Sequence, residues 1–218
     1  MTQFCDDRDL LCLEPSLFER LGRPGQHLAG GSDGQLSLTS FGSESCDFQA
    51  AQLQPGMVLC ITGVSPALCL DIVTVDSAHE LTVSLLRGDP AGAPLPPPAP
   101  PNPDNLAFHV VSFAAQIQAV SHSLSERLRH AAEVAGVTAA DFADSTQLRL
   151  AVAHGVLGTV FVARAEDASP ADAHWAKAQH YRDEYRRLAP QLRLAVDADG
   201  DGQAEQTRTL GHINLRRV

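Results

Sequence analysis

The sequence predicts an α+β protein, in which a small N-terminal β-barrel-like domain precedes a C-terminal helical bundle with a terminal β-hairpin. Three observations carry this reading. Before residue 89, apolar residues fall in short strand-like runs separated by tight turns. From Asp89 to Asn105 the run DPAGAPLPPPAPPNPDN holds eight prolines in seventeen residues, and proline can neither continue a helix nor sit inside a sheet. Beyond it, apolar residues recur in steps of three and four, the spacing of a helix. The expected division is therefore 1–88, a linker or loop at 89–105, and 106–218. A second arrangement stays open, in which the proline-rich run is an excursion within one domain and Leu106 to Phe113 (LAFHVVSF) is a returning strand.

In the first half, Glu14-Pro15-Ser16 opens a short helix with Leu17, Phe18 and Leu21 as its apolar edge. Asp33-Gly34 reads as a turn, and Gly22, Gly30 and Gly31 as further turn residues. The run Gln35 to Ser40 alternates, with Leu36 and Leu38 on one face. Pro55-Gly56 marks the next turn, before a strand at Met57 to Thr62. Leu68 to Val75 and Leu81 to Leu86 then flank a turn at Asp76 to His79.

In the second half, Phe113, Ile117, Val120, Leu124, Leu128, Ala131 and Ala135 form one stripe of an amphipathic helix. Thr138 is placed to cap a short turn through Phe142. The helix from Gln147 to Arg164 is apolar over most of its circumference and is expected to be central and buried. Ala151, Gly155 and Gly158 would let a neighbouring helix approach it closely. Ser169-Pro170 opens a third helix, striped by Trp175, Ala178, Tyr181, Tyr185 and Leu188 and stopped by Pro190. The ending reads as two strands around an Asp-Gly-rich loop.

Charge excludes one class of function. Sixteen basic residues against 26 acidic ones give −10, whereas binding to a DNA duplex needs a surplus of Lys and Arg. The deficit is uneven: residues 1–104 carry 13 acids and 4 arginines, and residues 105–218 carry 13 acids and 12 bases. The five cysteines, Cys5, Cys12, Cys46, Cys60 and Cys69, have no CxxC spacing and read as free, mostly buried thiols of a reducing compartment. The opening MTQFCDDRDLLCLEP lacks the basic and apolar regions of a signal peptide, and no apolar stretch approaches the ~20 residues that span a bilayer. Synthesis in a cytoplasm is the expectation.

The conspicuous chemical motif is Asp197-Ala-Asp199-Gly-Asp201-Gly-Gln-Ala-Glu205. Its oxygen donors and glycine match most of a calcium loop, but Arg208 stands where the bidentate Glu should close the shell. A solvated hairpin loop is the better reading, and a calcium-dependent binding module is the alternative. Nine histidines include no HExxH motif and no i,i+4 pair; His174 and His180, six apart, belong to different helix faces. A cysteine- or histidine-dependent hydrolase is the weaker alternative, and the chain is expected to catalyse nothing. Arg182, Arg186 and Arg187, interspersed with Asp183 and Glu184, read as a solvated face with i,i+4 pairs such as Asp183 with Arg187.

With these residues laid out, the chain resembles the head–tail adaptor (connector) proteins of tailed bacteriophages and prophages. The helix Thr146 to Arg164 followed by Ala171 to Leu188 (ADAHWAKAQHYRDEYRRL) carries the likeness. The ending Leu192 to Val218 and the opening segments Asp7 to Leu11 and Glu14 to Phe18 are similar to a subgroup with an N-terminal β domain. The resemblance implies a virion protein of the neck that binds the portal ring and forms a homo-oligomeric ring. That ring would offer a platform to a tail or stopper protein and let DNA pass without specific binding. No catalytic residue, cofactor or membrane contact is implied, and Leu215, Arg216 and Arg217 become candidates for gripping the portal or a neighbouring subunit.

Overall fold

The computed structural model describes residues 3–20, 26–134, 139–142, 145–196 and 206–209. They divide into two units, Asp6–Ala114 and Ala115–Val218 with Met1–Cys5. Strands and helices thus coexist as α+β, with the strands of a closed barrel in the first unit and the long helices in the second.

The first unit opens with helix α1 (Asp7–Leu13), fixed by a capping box. Asp6 accepts from the Asp9 amide, and the Asp9 carboxylate accepts from the Asp6 amide, so two otherwise orphaned donors are satisfied. A short helix α2 (Ser16–Arg20) follows, where the Glu14-Pro15-Ser16 signal places it. Six strands then close into an antiparallel barrel: β1 (His27–Ser37), β2 (Ser40–Gly42), β3 (Val58–Thr62), β4 (Leu68–Val75), β5 (Glu80–Ser84) and β6 (Leu106–Val111). Their order around the barrel is β1-β2-β5-β4-β3-β6, and β6 closes it by pairing with both β1 and β3.

The boundary expected at residue 106 therefore moves to Ala114. LAFHVVSF supplies the closing strand, and the proline-rich segment is an excursion that leaves the barrel after β5 and re-enters it at β6. The excursion runs along the sheet through bonds its carbonyls accept: the Leu85 amide donates to the Leu95 carbonyl at 3.0 Å, and the Leu36 amide to the Pro103 carbonyl at 2.9 Å.

The barrel interior holds Phe41, Phe48 and Phe108, with ring centroids 5.0–6.3 Å apart, among Leu59, Ile61, Leu70 and Ile72. Alternation alone would leave the outward residues of β3 in water, yet Val58 and Cys60 are also buried. Helices α1 and α2 pack on that strand, which explains its unbroken apolar run. Two turn expectations fail here. Gly30, Gly31 and Gly34 lie within β1, at the irregular stretch where it pairs with β6. A Cβ on Gly34 would stand 2.8 Å from the Phe41 ring and 2.9 Å from the Leu106 carbonyl, so glycine there serves close packing rather than a turn. Leu38 does not share the buried face of Leu36: it sits in the β1–β2 turn at φ +53°, 76% exposed.

The cysteine expectation is also corrected. Antiparallel register places Cys60 directly opposite Cys69, and the two form a disulfide. Of the other three, Cys5 is buried and Cys12 exposed.

In the second unit, α3 (Ala114–Val134), α4 (Ser145–Val162) and α5 (Ala173–Leu188) are the long helices. Helix α4 is buried nearly all round: Val152, Leu157 and Phe161 are inaccessible and Val160 is 6% exposed. Helix α5 packs along it where Gly158 admits the partner backbone, a Cβ there standing 3.0 Å from the Arg182 stem and 3.4 Å from its amide. Phe161 and Tyr181 stack with centroids 5.8 Å apart. The cap of α5 is Asp172, which accepts from the His174 and Trp175 amides at 2.7 and 2.9 Å, rather than Ser169.

Strands β7 (Ala139–Phe142), β8 (Arg193–Val196) and β9 (Gln206–Thr209) make a second sheet in the order β7-β8-β9. The expected turn through Phe142 is thus a strand, and the terminal hairpin β8–β9 is backed by it.

Burial of Leu157 generates a direct test. Leu157→Ala should cost ~2–5 kcal/mol, the transfer and cavity terms of a fully buried leucine, measured by chemical denaturation; a loss under about 1 kcal/mol would contradict a central α4.

Candidate functional site

The residues singled out from sequence divide sharply. Asp197, Asp199, Asp201 and Glu205, and likewise Leu215, Arg216 and Arg217, lie outside the described residues. The strands β8 and β9 that flank the acidic loop are described, and they pair in register from Arg193 opposite Thr209 to Val196 opposite Gln206. Among the described residues no group of three or more His, Cys, Asp or Glu side chains is arranged to hold a metal ion. No helix among them is long and apolar enough to cross a membrane.

Among the described residues the histidines do not converge on a nucleophile. His174 stacks on Phe161 and His180 meets Tyr181 edge-on, in keeping with different faces of α5. Burial lowers the pKa of His154, partly opposed by the charge of Glu184. His79 meets Cys46 through its backbone and not its thiol: the ring Nδ1 lies 2.9 Å from the Cys46 carbonyl and 3.1 Å from that of Ser43. The Cys46 thiol is pushed up, first by burial and then by the charges of Asp33 and Asp47. Nucleophilic cysteines need the opposite shift. The stretch Gly30-Gly31-Ser32-Asp33-Gly34 matches a Gly-x-Ser-x-Gly pattern, but it lies inside β1. A nucleophile elbow requires a sharp strand-to-helix turn.

Charged chemistry concentrates instead in two places. On the barrel, Asp71 of β4 is wholly buried between Arg87 at 2.9 Å and Arg8 at 3.6 Å, and Arg8 also holds Asp6 at 2.6 Å. Arg87 further donates to the Gly92 carbonyl at 2.6 Å. This cluster ties α1 and the start of the proline-rich excursion to one barrel strand. It consumes both Arg side chains described in this unit, so the exposed charges that remain there, among them Glu44, Asp47, Asp76, Glu80 and Asp104, are acidic.

On the helical unit, a groove of about 720 Å³ runs between α3 and α5 over Gly155 of α4. Arg127, Arg182 and Arg186 stand along it, with Val120 and Tyr185 at its base. Arg127 and Arg182 have no carboxylate partner among the described residues. Arg186 pairs with Asp183 at 2.9 Å and Arg187 with Glu184 at 2.5 Å, so the expected i,i+4 pairing is i,i+3. The buried Oε1 of Gln116, also in the groove, lacks a hydrogen-bond partner. Composition showed arginines on α5; only the helix packing brings Arg127 of α3 beside them.

Comparison with protein-family models, curated proteins and solved structures found no match.

One buried group predicts a pH response. Asp7 is 3% exposed, and burial raises its pKa from 3.8 to about 7, partly opposed by the Ser112 hydroxyl and the Phe113 amide, which donates at 2.8 Å. The fold therefore prefers the protonated acid. Its contribution is complete below about pH 4 and is lost as pH rises through about 7. In thermal melts across this window, Asp7→Asn should remove that loss, because the amide keeps the acceptor and carries no charge. An unchanged pH profile in the variant would contradict the assignment.

Proposed function

We propose that this chain is a structural subunit of a viral head–tail connector, binding a portal ring and a tail or stopper protein and assembling with copies of itself at the neck of the virion. The observation that carries the reading is the helical unit. A buried α4 lies between two one-sided helices, and a sheet-backed hairpin, β8–β9, follows α5. This is the order of elements that the resemblance of residues 146–218 to phage adaptors implies.

The electrostatics agree with such a role. A subunit of net charge −10 can border a DNA channel without holding the phosphate backbone. The barrel is an appended domain whose outward charges suit contact with a basic neighbour rather than with nucleic acid. The activity assigned to the subunit is assembly.

The test is truncation after Thr209, which retains the β7–β8–β9 pairing and removes Leu215, Arg216 and Arg217. Particles assembled with the truncated subunit should package DNA yet lack tails or lose their genome, while the isolated subunit melts like the full chain. Normally tailed, stable particles would remove the terminal segment from portal contact.

A further inference from the structure

The turn between β1 and β2 is anomalous. Ser37 pairs with Ser40, leaving Leu38 and Thr39 as a two-residue connection. Its first position takes φ +53°, where glycine or asparagine is the usual choice. A leucine there both strains the backbone and holds a large apolar side chain 76% exposed to solvent. Neither effect helps the barrel fold. Two carboxylates stand close by. Asp76 accepts from Thr82 at 2.7 Å and Glu80 from Ser40 at 2.8 Å, and Ser40 and Thr82 are register partners at the base of the turn. The turn is therefore an apolar knob beside two oriented anions.

The groove of the helical unit has the complementary chemistry. Val120 and Tyr185 offer an apolar seat, Arg127 and Arg182 are cations with no carboxylate among the described residues, and the buried Gln116 Oε1 needs a donor. A volume of about 720 Å³ accommodates a hairpin tip rather than a domain. Backbone amides at such a tip would satisfy the Gln116 acceptor.

We infer that the Leu38 knob of one copy of this chain seats in the Arg127–Arg182 groove of the next copy, with Asp76 and Glu80 meeting the arginines. Knob and groove are different surfaces of the chain, so a contact made head to tail leaves a pair of copies with one free knob and one free groove. Repetition generates a ring or a filament. The inference rests on the connector reading for the biological meaning of the ring, but its geometry stands on the two surfaces alone.

The experiment is sedimentation velocity of the full chain over a range of concentrations, at low and high salt. Wild type should self-associate, less so at high salt. Leu38→Asn keeps a residue suited to positive φ and should preserve the melting temperature while weakening association by at least about tenfold. Arg127→Glu, on an exposed side chain, should do the same, and combining it with Glu80→Arg should restore association. Association indifferent to all three changes overturns this interface and leaves the connector reading standing. A wild-type chain that stays monomeric at every concentration, alone and with portal protein, overturns both.

Discussion

The barrel exists only because the chain returns, after a long proline-rich excursion, to fill the gap between β1 and β3 with β6. Only β1–β2, β3–β4 and β4–β5 join consecutive strands; β2 reaches β5 across two intervening strands, and β6 must return to both β1 and β3, so these closures cost loop-closure entropy before any contact rewards them. The sequence lessens that cost in two ways. Eight prolines restrict the unfolded excursion, so fewer conformations are lost on folding. Asp71 then fixes the departure point through Arg87, and through Arg8 it fastens α1 to the same strand. A carboxylate with no solvent access is tolerable there because both guanidinium partners are nearly buried with it. At the far end of β6, Asp7 receives the Phe113 amide, and the Phe18 and Phe113 rings meet edge-to-face at 5.4 Å. The two N-terminal helices thus hold both the entry to the excursion and the exit from it.

What the sequence makes legible follows from how local each signal is. The all-round apolarity of residues 147–164 and the small residues Gly155 and Gly158 announce a central helix, because helix periodicity is written in adjacent turns. The strands at Leu68–Val75 and Glu80–Ser84 are equally readable. Features set by pairing between distant segments are not. Cys60 and Cys69 meet only because hairpin register opposes them. Leu38 alternates with Leu36 in sequence, yet the chain reverses there. Ala139–Phe142 has too few residues to show a period, and it becomes a strand by pairing with β8. The acidic and C-terminal candidates, residues 197–205 and 215–217, fall outside what the structure describes.

The two units also divide the electrostatic labour. Arg8 and Arg87, the arginines of the barrel unit whose side chains are described, are turned toward Asp71 and Asp6, and the exposed carboxylates described there are left without them. Arginines of the helical unit are turned outward along a groove, two of them without partners among the described residues. Exposed carboxylates on one unit, and on the other two arginines without a carboxylate partner among the described residues, would suit the proposed contact between copies of this chain.

The proposed role as a connector on a portal is tested most directly by native mass spectrometry of the full chain mixed with a candidate phage portal protein. The account predicts a single large species containing the portal ring and multiple copies of this subunit. Separate masses for the portal and for a monomeric chain, across concentrations and salt conditions, would contradict it.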